Sequence, residues 1–109
     1  NLTKSVAFAL TKDNIKVNGL NLGWTHTPGE EKTMEKYVTK DKNWPTTHGK
    51  DLPWGRLIQP IEAAKAIAFM TSSESGLMTG SIIDFDQIIS GWYADYSGPK
   101  KLKDNELGI

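Results

Sequence analysis

The chain contains no cysteine. That excludes disulfides, thiolate metal sites and a cysteine nucleophile, and it fits a reducing cytoplasm, where the protein is expected to reside. There is no excess of charge of one sign either, because thirteen Lys and Arg balance thirteen Asp and Glu. A neutral chain builds no field that would gather polyanions, so no nucleic acid and no membrane are expected as partners. No apolar run approaches the ~20 residues of a membrane-spanning helix, and no basic–apolar–small leader pattern is present. Internal repeats and low-complexity blocks are missing too. Histidine is scarce: His26 and His48 fall on separate loops with no clear third ligand. A zinc site needs three or four placed ligands, so no metal is expected, and each histidine reads as a surface residue rather than a general base.

What is present is a regular opening and a regular close around a polar middle. Asn1–Leu10 reads as a helix, with Leu2, Val6 and Leu10 at four-residue spacing and Ala7 and Ala9 as good formers. Asn14 is placed to end it in the left-handed conformation. Ile15–Leu22 reads as a strand whose apolar positions do not alternate cleanly, as expected of a strand covered on both faces. Asn18 lies in mid-strand, and a buried amide needs partners on a neighbouring strand or loop. Gly23 follows the last apolar residue, where the backbone must turn sharply or approach a ligand closely.

Pro28-Gly29 then opens a long polar insertion. A short helix is expected over Glu30–Lys40, with Met34, Tyr37 and Val38 on one face, and Asp41–Lys50, which holds Pro45 and Gly49, reads as loop. Insertions of this kind are usually lids or binding loops. Pro60 opens the clearest helix, Pro60–Ser72, with Glu62 complementing its N-terminus. Ile61, Ala64, Ile67 and Ala68 form its expected apolar face, while Ala63 and Ala66 permit close packing. Ser81–Asp86 reads as a second strand. Asp84 and Asp86 share a face there and read as strand-end hydrogen-bonding groups rather than a catalytic pair. Gln87–Ile109 reads as an irregular tail, made sticky by Trp92, Tyr93 and Tyr96. The order of helix, strand, long excursion with helix, and strand suits two parallel strands joined by a right-handed crossover. The fold class is therefore α/β, and the order looks like the carboxyl-terminal edge of a doubly wound parallel sheet. Ligands in such sheets lie beyond the carboxyl ends of the strands. The turn after Leu22 is there.

Four stretches carry a resemblance. Val17, Asn18, Gly23 and Thr27 match a Val-Asn-x-Val-x-Pro-Gly-x-x-x-Thr pattern, with Leu22 in place of its proline. Leu2–Leu10 resembles the second half of a catalytic helix. Gly55-Arg56-Leu57-Ile58-Gln59-Pro60-Ile61-Glu62-Ala63-Ala64 resembles Gly-Arg-x-x-x-Pro-x-Glu-x-Ala. Phe69-Met70-Thr71-Ser72, Thr79-Gly80-Ser81 and Asp84-Phe85-Asp86 resemble Phe-Leu-x-Ser, Thr-Gly and Val-Asp-Gly-Gly in turn. In order and with matching gaps, these resemble the C-terminal segment of the short-chain dehydrogenases/reductases. Gln87-Ile88 departs from that family's Gly-Gly.

The resemblance implies a parent that is an oxidoreductase using NAD or NADP on a secondary alcohol or ketone, sugar-like and polyol-like ones among them. The chain reads as one C-terminal piece of a Rossmann-fold domain. It implies cofactor contacts at Leu22, Gly23, Trp24, Thr25 and Thr27, with backbone groups of Thr25 at the nicotinamide carboxamide and the hydroxyl of Thr27 at the carboxamide or the pyrophosphate. It implies a substrate lid over 28–53, a small-molecule alcohol or ketone as partner, and a homo-oligomer, dimer or tetramer. The family's Tyr-x-x-x-Lys pair, its catalytic serine and its glycine-rich loop would all precede Asn1. No catalytic residue is therefore expected within these 109 residues, and the isolated chain is expected to be silent. The alternative is a non-catalytic association module derived from the same fold.

Overall fold

The computed structural model describes residues 1–89. These form two compact units, one of Asn1–Thr25 with Ile58–Asp86, the other of His26–Leu57 with the described residues after Asp86. Trp92, Tyr93 and Tyr96 lie outside the described residues.

The first unit opens with helix α1, Leu2–Leu10, whose N-cap Asn1 accepts through Oδ1 from the Lys4 N–H at 3.4 Å. A 3-10 turn, Thr11–Asp13, follows, and Asn14 closes it at φ 58°, ψ 32°. Asparagine is among the few residues that tolerate this left-handed well. Strand β1 is Gly19–Leu22 and strand β2 is Ile82–Phe85; they pair parallel, Gly19 opposite Ile82 through Leu22 opposite Phe85. α1 meets the turn before β2 through small residues. Ala7 is buried, and a Cβ on Gly80 would sit in ordinary contact with the Ala7 methyl at 3.6 Å. The Lys4 ammonium donates to the Gly80 carbonyl at 2.8 Å.

β1 is half the expected length. Ile15–Asn18 does not join the ladder because the chain facing it is a turn, with Gly80 at φ 73°. Its polar groups are satisfied in other ways. The Val17 N–H donates to Thr79 Oγ1 at 3.1 Å, and the Val17 carbonyl accepts from the Gly80 N–H at 2.8 Å. The Asn18 side chain donates to the Met78 carbonyl at 3.1 Å and accepts from the Ser81 N–H at 3.0 Å. The half-buried amide thus finds its partners on a neighbouring loop.

Helix α4, Pro60–Thr71, runs between the strands in sequence, with the Glu62 carboxylate accepting from the Gln59 N–H at 2.9 Å. (Helices α2 and α3 belong to the second unit, below.) Its buried face is Ala63 and Met70, with Ala66 half-buried between them. The face expected to be buried is the exposed one: Ile61, Ala64, Ile67 and Ala68 all lie outward. The buried side thus carries Ala63, Ala66 and Met70, and the branched Ile61 and Ile67 stay out.

The second unit holds α2, Pro28–Tyr37, and α3, Trp44–Gly49. The expected helix over Glu30–Lys40 thus begins two residues earlier, where Pro28 suits the first turn. α3 replaces the expected loop over Asp41–Lys50. Pro45 lies in its first turn, where the missing N–H costs nothing, and Asp41 supplies the start: its carboxylate accepts from the Asn43 N–H at 2.8 Å and the Thr47 hydroxyl at 2.9 Å. Met34, Trp44 and Leu57 are this unit's buried apolar residues. Gly49 passes so close that a Cβ there would meet Leu57 Cδ1 at 3.1 Å and Arg56 Cα at 3.2 Å.

Candidate functional site

The carboxyl end of β1 carries the candidate loop. Leu22 ends the strand opposite Phe85 and is half exposed. The Gly23 N–H donates to the Phe85 carbonyl at 2.9 Å, carrying the ladder one residue further. Asp86 lies directly over Gly23: a Cβ on the glycine would overlap the Asp86 carboxyl group and stand 3.0 Å from its Cβ. The glycine is needed for close approach, not for a positive φ.

Beyond it, Trp24 is half-buried, and its carbonyl accepts from the Ile58 N–H at 3.0 Å. Thr25 and Ile58 form an isolated parallel bridge. In a parallel bridge one residue uses its N–H and C=O on the two neighbours of the other. Here Ile58 is the residue so used, and the N–H and C=O of Thr25 are turned away from it. The Thr25 side chain is spent locally, its hydroxyl donating to the Gly23 carbonyl at 2.9 Å. Leu22, Gly23, Trp24 and Thr25 are brought together in the first unit. Thr27 belongs to the second, as the N-cap of α2: its Oγ1 accepts from the Glu30 N–H at 3.1 Å. A hydroxyl that accepts one bond keeps its own hydrogen to donate.

The remaining candidates have other roles. His26 Nε2 donates to the Glu31 carboxylate at 2.8 Å, and its ring stands edge-on to Trp44. His48 lies on α3. Among the described residues no three His, Asp or Glu side chains gather as a metal site would require. Asp84 accepts from the Asn21 amide across the strands at 2.9 Å. The Asn43 backbone N–H and the Thr47 hydroxyl hold the Asp41 carboxyl below the usual carboxylate range, and nearby His48 adds to the effect.

Two residues escaped the sequence reading. Gln87 clamps the turn before Leu57, accepting from the Trp54 N–H at 2.8 Å and donating to the Arg56 carbonyl at 2.8 Å. Its only signal was its departure from Gly-Gly. Lys16 reaches Ser75 Oγ at 2.5 Å and the Gly76 carbonyl at 3.0 Å, holding the turn after α4. No local pattern announces that pairing.

A family model described as enoyl-(acyl carrier protein) reductase matches residues 1–87. The chain belongs to the short-chain dehydrogenase/reductase family. A 3-oxoacyl-(acyl-carrier-protein) reductase of Thermotoga maritima is 36% identical over 85 residues, covering 78% of this chain and 32% of that protein. An NADPH-bound short-chain oxidoreductase from Pseudomonas aeruginosa superposes with a TM-score of 0.66 at 33% identity, covering 87% of this chain and 35% of the other. L-sorbose reductase from Gluconobacter frateurii, solved with NADPH and L-sorbose, gives a TM-score of 0.68 at 27% identity over 79% of this chain and 35% of its own. The short-chain dehydrogenase/reductase segment thus spans about a third of the length of these relatives. Both the resemblance and the Rossmann-like α/β class read from the sequence hold.

Proposed function

We propose that this chain is the nicotinamide-side segment of an NAD(P)-dependent oxidoreductase acting on a secondary alcohol or ketone. The observation that carries the reading is Thr25. Its N–H and C=O, one donor and one acceptor, sit side by side past the end of β1 and face away from the Ile58 bridge. A carboxamide needs that pair in fixed geometry. Leu22, Gly23 and Trp24 shape the approach, and the Thr27 hydroxyl adds a donor from the cap of α2. The bound nicotinamide supplies or accepts the hydride. These residues orient it, and α2 and α3 act as the substrate lid. The proton-transfer tyrosine comes from outside these residues, and the isolated chain is inactive.

A sugar-like or polyol-like substrate is the first class to try, because the neighbour from Gluconobacter frateurii was solved with L-sorbose. The outward apolar side chains of one face of α4, Ile61 and Ile67, support a homo-oligomer contact there. A reducing, cytoplasmic setting suits the absence of cysteine. The test is a fluorescence titration of the protein carrying this chain with NADH and NADPH, followed by turnover on ketoses, polyols and simple ketones. Saturable binding of one cofactor with turnover on a carbonyl or alcohol is expected. Binding of neither refutes the reading.

A further inference from the structure

We propose that Asp86 is a specificity-determining residue that strengthens binding of the oxidised, cationic form of the nicotinamide cofactor relative to the reduced, neutral one. The inference rests on the functional reading above and deepens it. Asp86 is the first residue past β2, and it stands beside Gly23, the first past β1. The strands are held level there because the Gly23 N–H donates to the Phe85 carbonyl at 2.9 Å. The Asp86 carboxyl group fills the space that a Cβ on Gly23 would take. A side chain on this residue would push the carboxylate off, and the glycine lets the charge lie against the loop backbone. Asp86 thus shares a unit and a set of strand ends with Thr25, whose hydroxyl donates to the Gly23 carbonyl at 2.9 Å. Two residues of chain separate Gly23 from Thr25, about 7 Å at most.

A carboxylate at that range acts on the charge of whatever the loop holds. The nicotinamide ring is cationic when oxidised and neutral once it has taken a hydride. Sugars and phosphates are common to both forms, so their contacts cancel in the ratio of the two affinities and the charge of the ring remains. Asp86 is exposed, so solvent weakens its field. One charge screened in this way changes the ratio by about two- to fivefold. Asp84 has the same sign and lies on the same face of the strand, but two residues further back. Its carboxylate accepts from the Asn21 amide at 2.9 Å. Lys4 and Lys16 bond toward the opposite, amino end of the strands, to the carbonyls of Gly80 ahead of β2 and Gly76 after α4. Asp86 is therefore the charge set closest against the loop by the strand ends themselves.

The measurement is a pair of calorimetric titrations of the protein carrying this chain, with the oxidised and the reduced form of NAD or NADP, whichever binds more tightly. Asp86→Asn keeps the size and shape of the side chain and removes its charge. It should shift the affinity ratio toward the reduced form by about two- to fivefold, while Asp86→Glu keeps the ratio of the unaltered protein. Asp84→Asn should move it by less. Lost packing weakens both forms alike, so the ratio separates charge from structure. Salt gives a second reading that needs no variant. Between about 0.01 and 1 M ionic strength the screening length falls from about 30 to about 3 Å, and the ratio in the unaltered protein should drift toward the reduced form. An unchanged ratio in Asp86→Asn, with both forms bound, overturns this inference and leaves the functional reading standing. Should Asp86→Asn bind neither form, a ratio in the unaltered protein that salt does not move overturns it equally. Binding of neither form by the unaltered protein overturns both.

Discussion

Gly23→Ala is the sharpest single test of how the loop is built. The added methyl group would overlap the Asp86 carboxyl and press its Cβ at 3.0 Å. The carboxyl oxygens can rotate away, but the Cβ is fixed to backbone leaving β2. Gly23 cannot retreat either, because its N–H is bonded to the Phe85 carbonyl at 2.9 Å. Something in the ladder must shift, and overpacking of this kind costs about 1–3 kcal/mol. Asp86→Gly should remove most of the clash, so the double variant should recover most of that loss. Urea denaturation of the protein carrying this chain, run as a double-mutant cycle, measures the coupling; pairs in direct contact give about 0.5–3 kcal/mol. The same displacement should weaken nicotinamide binding, since Thr25 bonds to the Gly23 carbonyl. A Gly23→Ala variant within about 0.5 kcal/mol of the parent, the range of an innocuous surface change, would refute the close-approach argument.

Three further outcomes are expected. Thr27→Val should lose about 0.5–2 kcal/mol of stability with the α2 cap and weaken nicotinamide binding by about 0.5–1.5 kcal/mol, with Thr27→Ser milder on both; lost stability at unchanged cofactor affinity would make Thr27 a cap and nothing more. Limited trypsin digestion should cut first at Lys40, between α2 and α3, ahead of the helical Lys32 and Lys36 and before anything within Pro60–Thr71; first cleavage inside α4 contradicts the lid assignment. The Asp41 carboxyl, held low by Asn43 and Thr47, should favour the start of α3 above its unfolded pKa and lose that contribution as pH falls through the lower folded value. An NMR titration of Asp41 checks this, and a midpoint in or above the ordinary carboxylate range would count against it, as would an unaltered acid limb in Asp41→Asn.

The elements that could be read from sequence are those whose signals are local. The α1 periodicity, the left-handed Asn14 and the proline and glutamate opening α4 act within a few residues of themselves, and each element lies where expected. Strand length is a different matter. Apolar content says that Ile15–Asn18 is extended and covered, but a ladder also needs a partner strand, and across from it runs a turn through Thr79 and Gly80. α3 was missed because Pro45 reads as a breaker, although proline breaks only helix interiors. The asset that rescues the helix, the Asp41 carboxylate, acts from outside it.

The same distinction separates the loop from its supports. Gly23 was visible because a sharp turn or a close approach demands that residue type at one position, and Thr27 because the resemblance marks it. The supports around the loop are pairings between residues distant in sequence, which no spacing rule encodes: Lys16 with Ser75, Gln87 with the backbone of Trp54 and Arg56, and His26 with Trp44. α4 shows why even a clear periodicity falls short. It carries apolar residues on two faces, one of alanines with Met70 and one of Ile61 and Ile67, and hydrophobicity favours the second. Close packing favours the first, since a methyl side chain lets the helix axis approach where isoleucine would hold it off. The side with Ala63, Ala66 and Met70 is the buried one, and Ile61 and Ile67 are left at the surface, where the proposed subunit contact is to be sought.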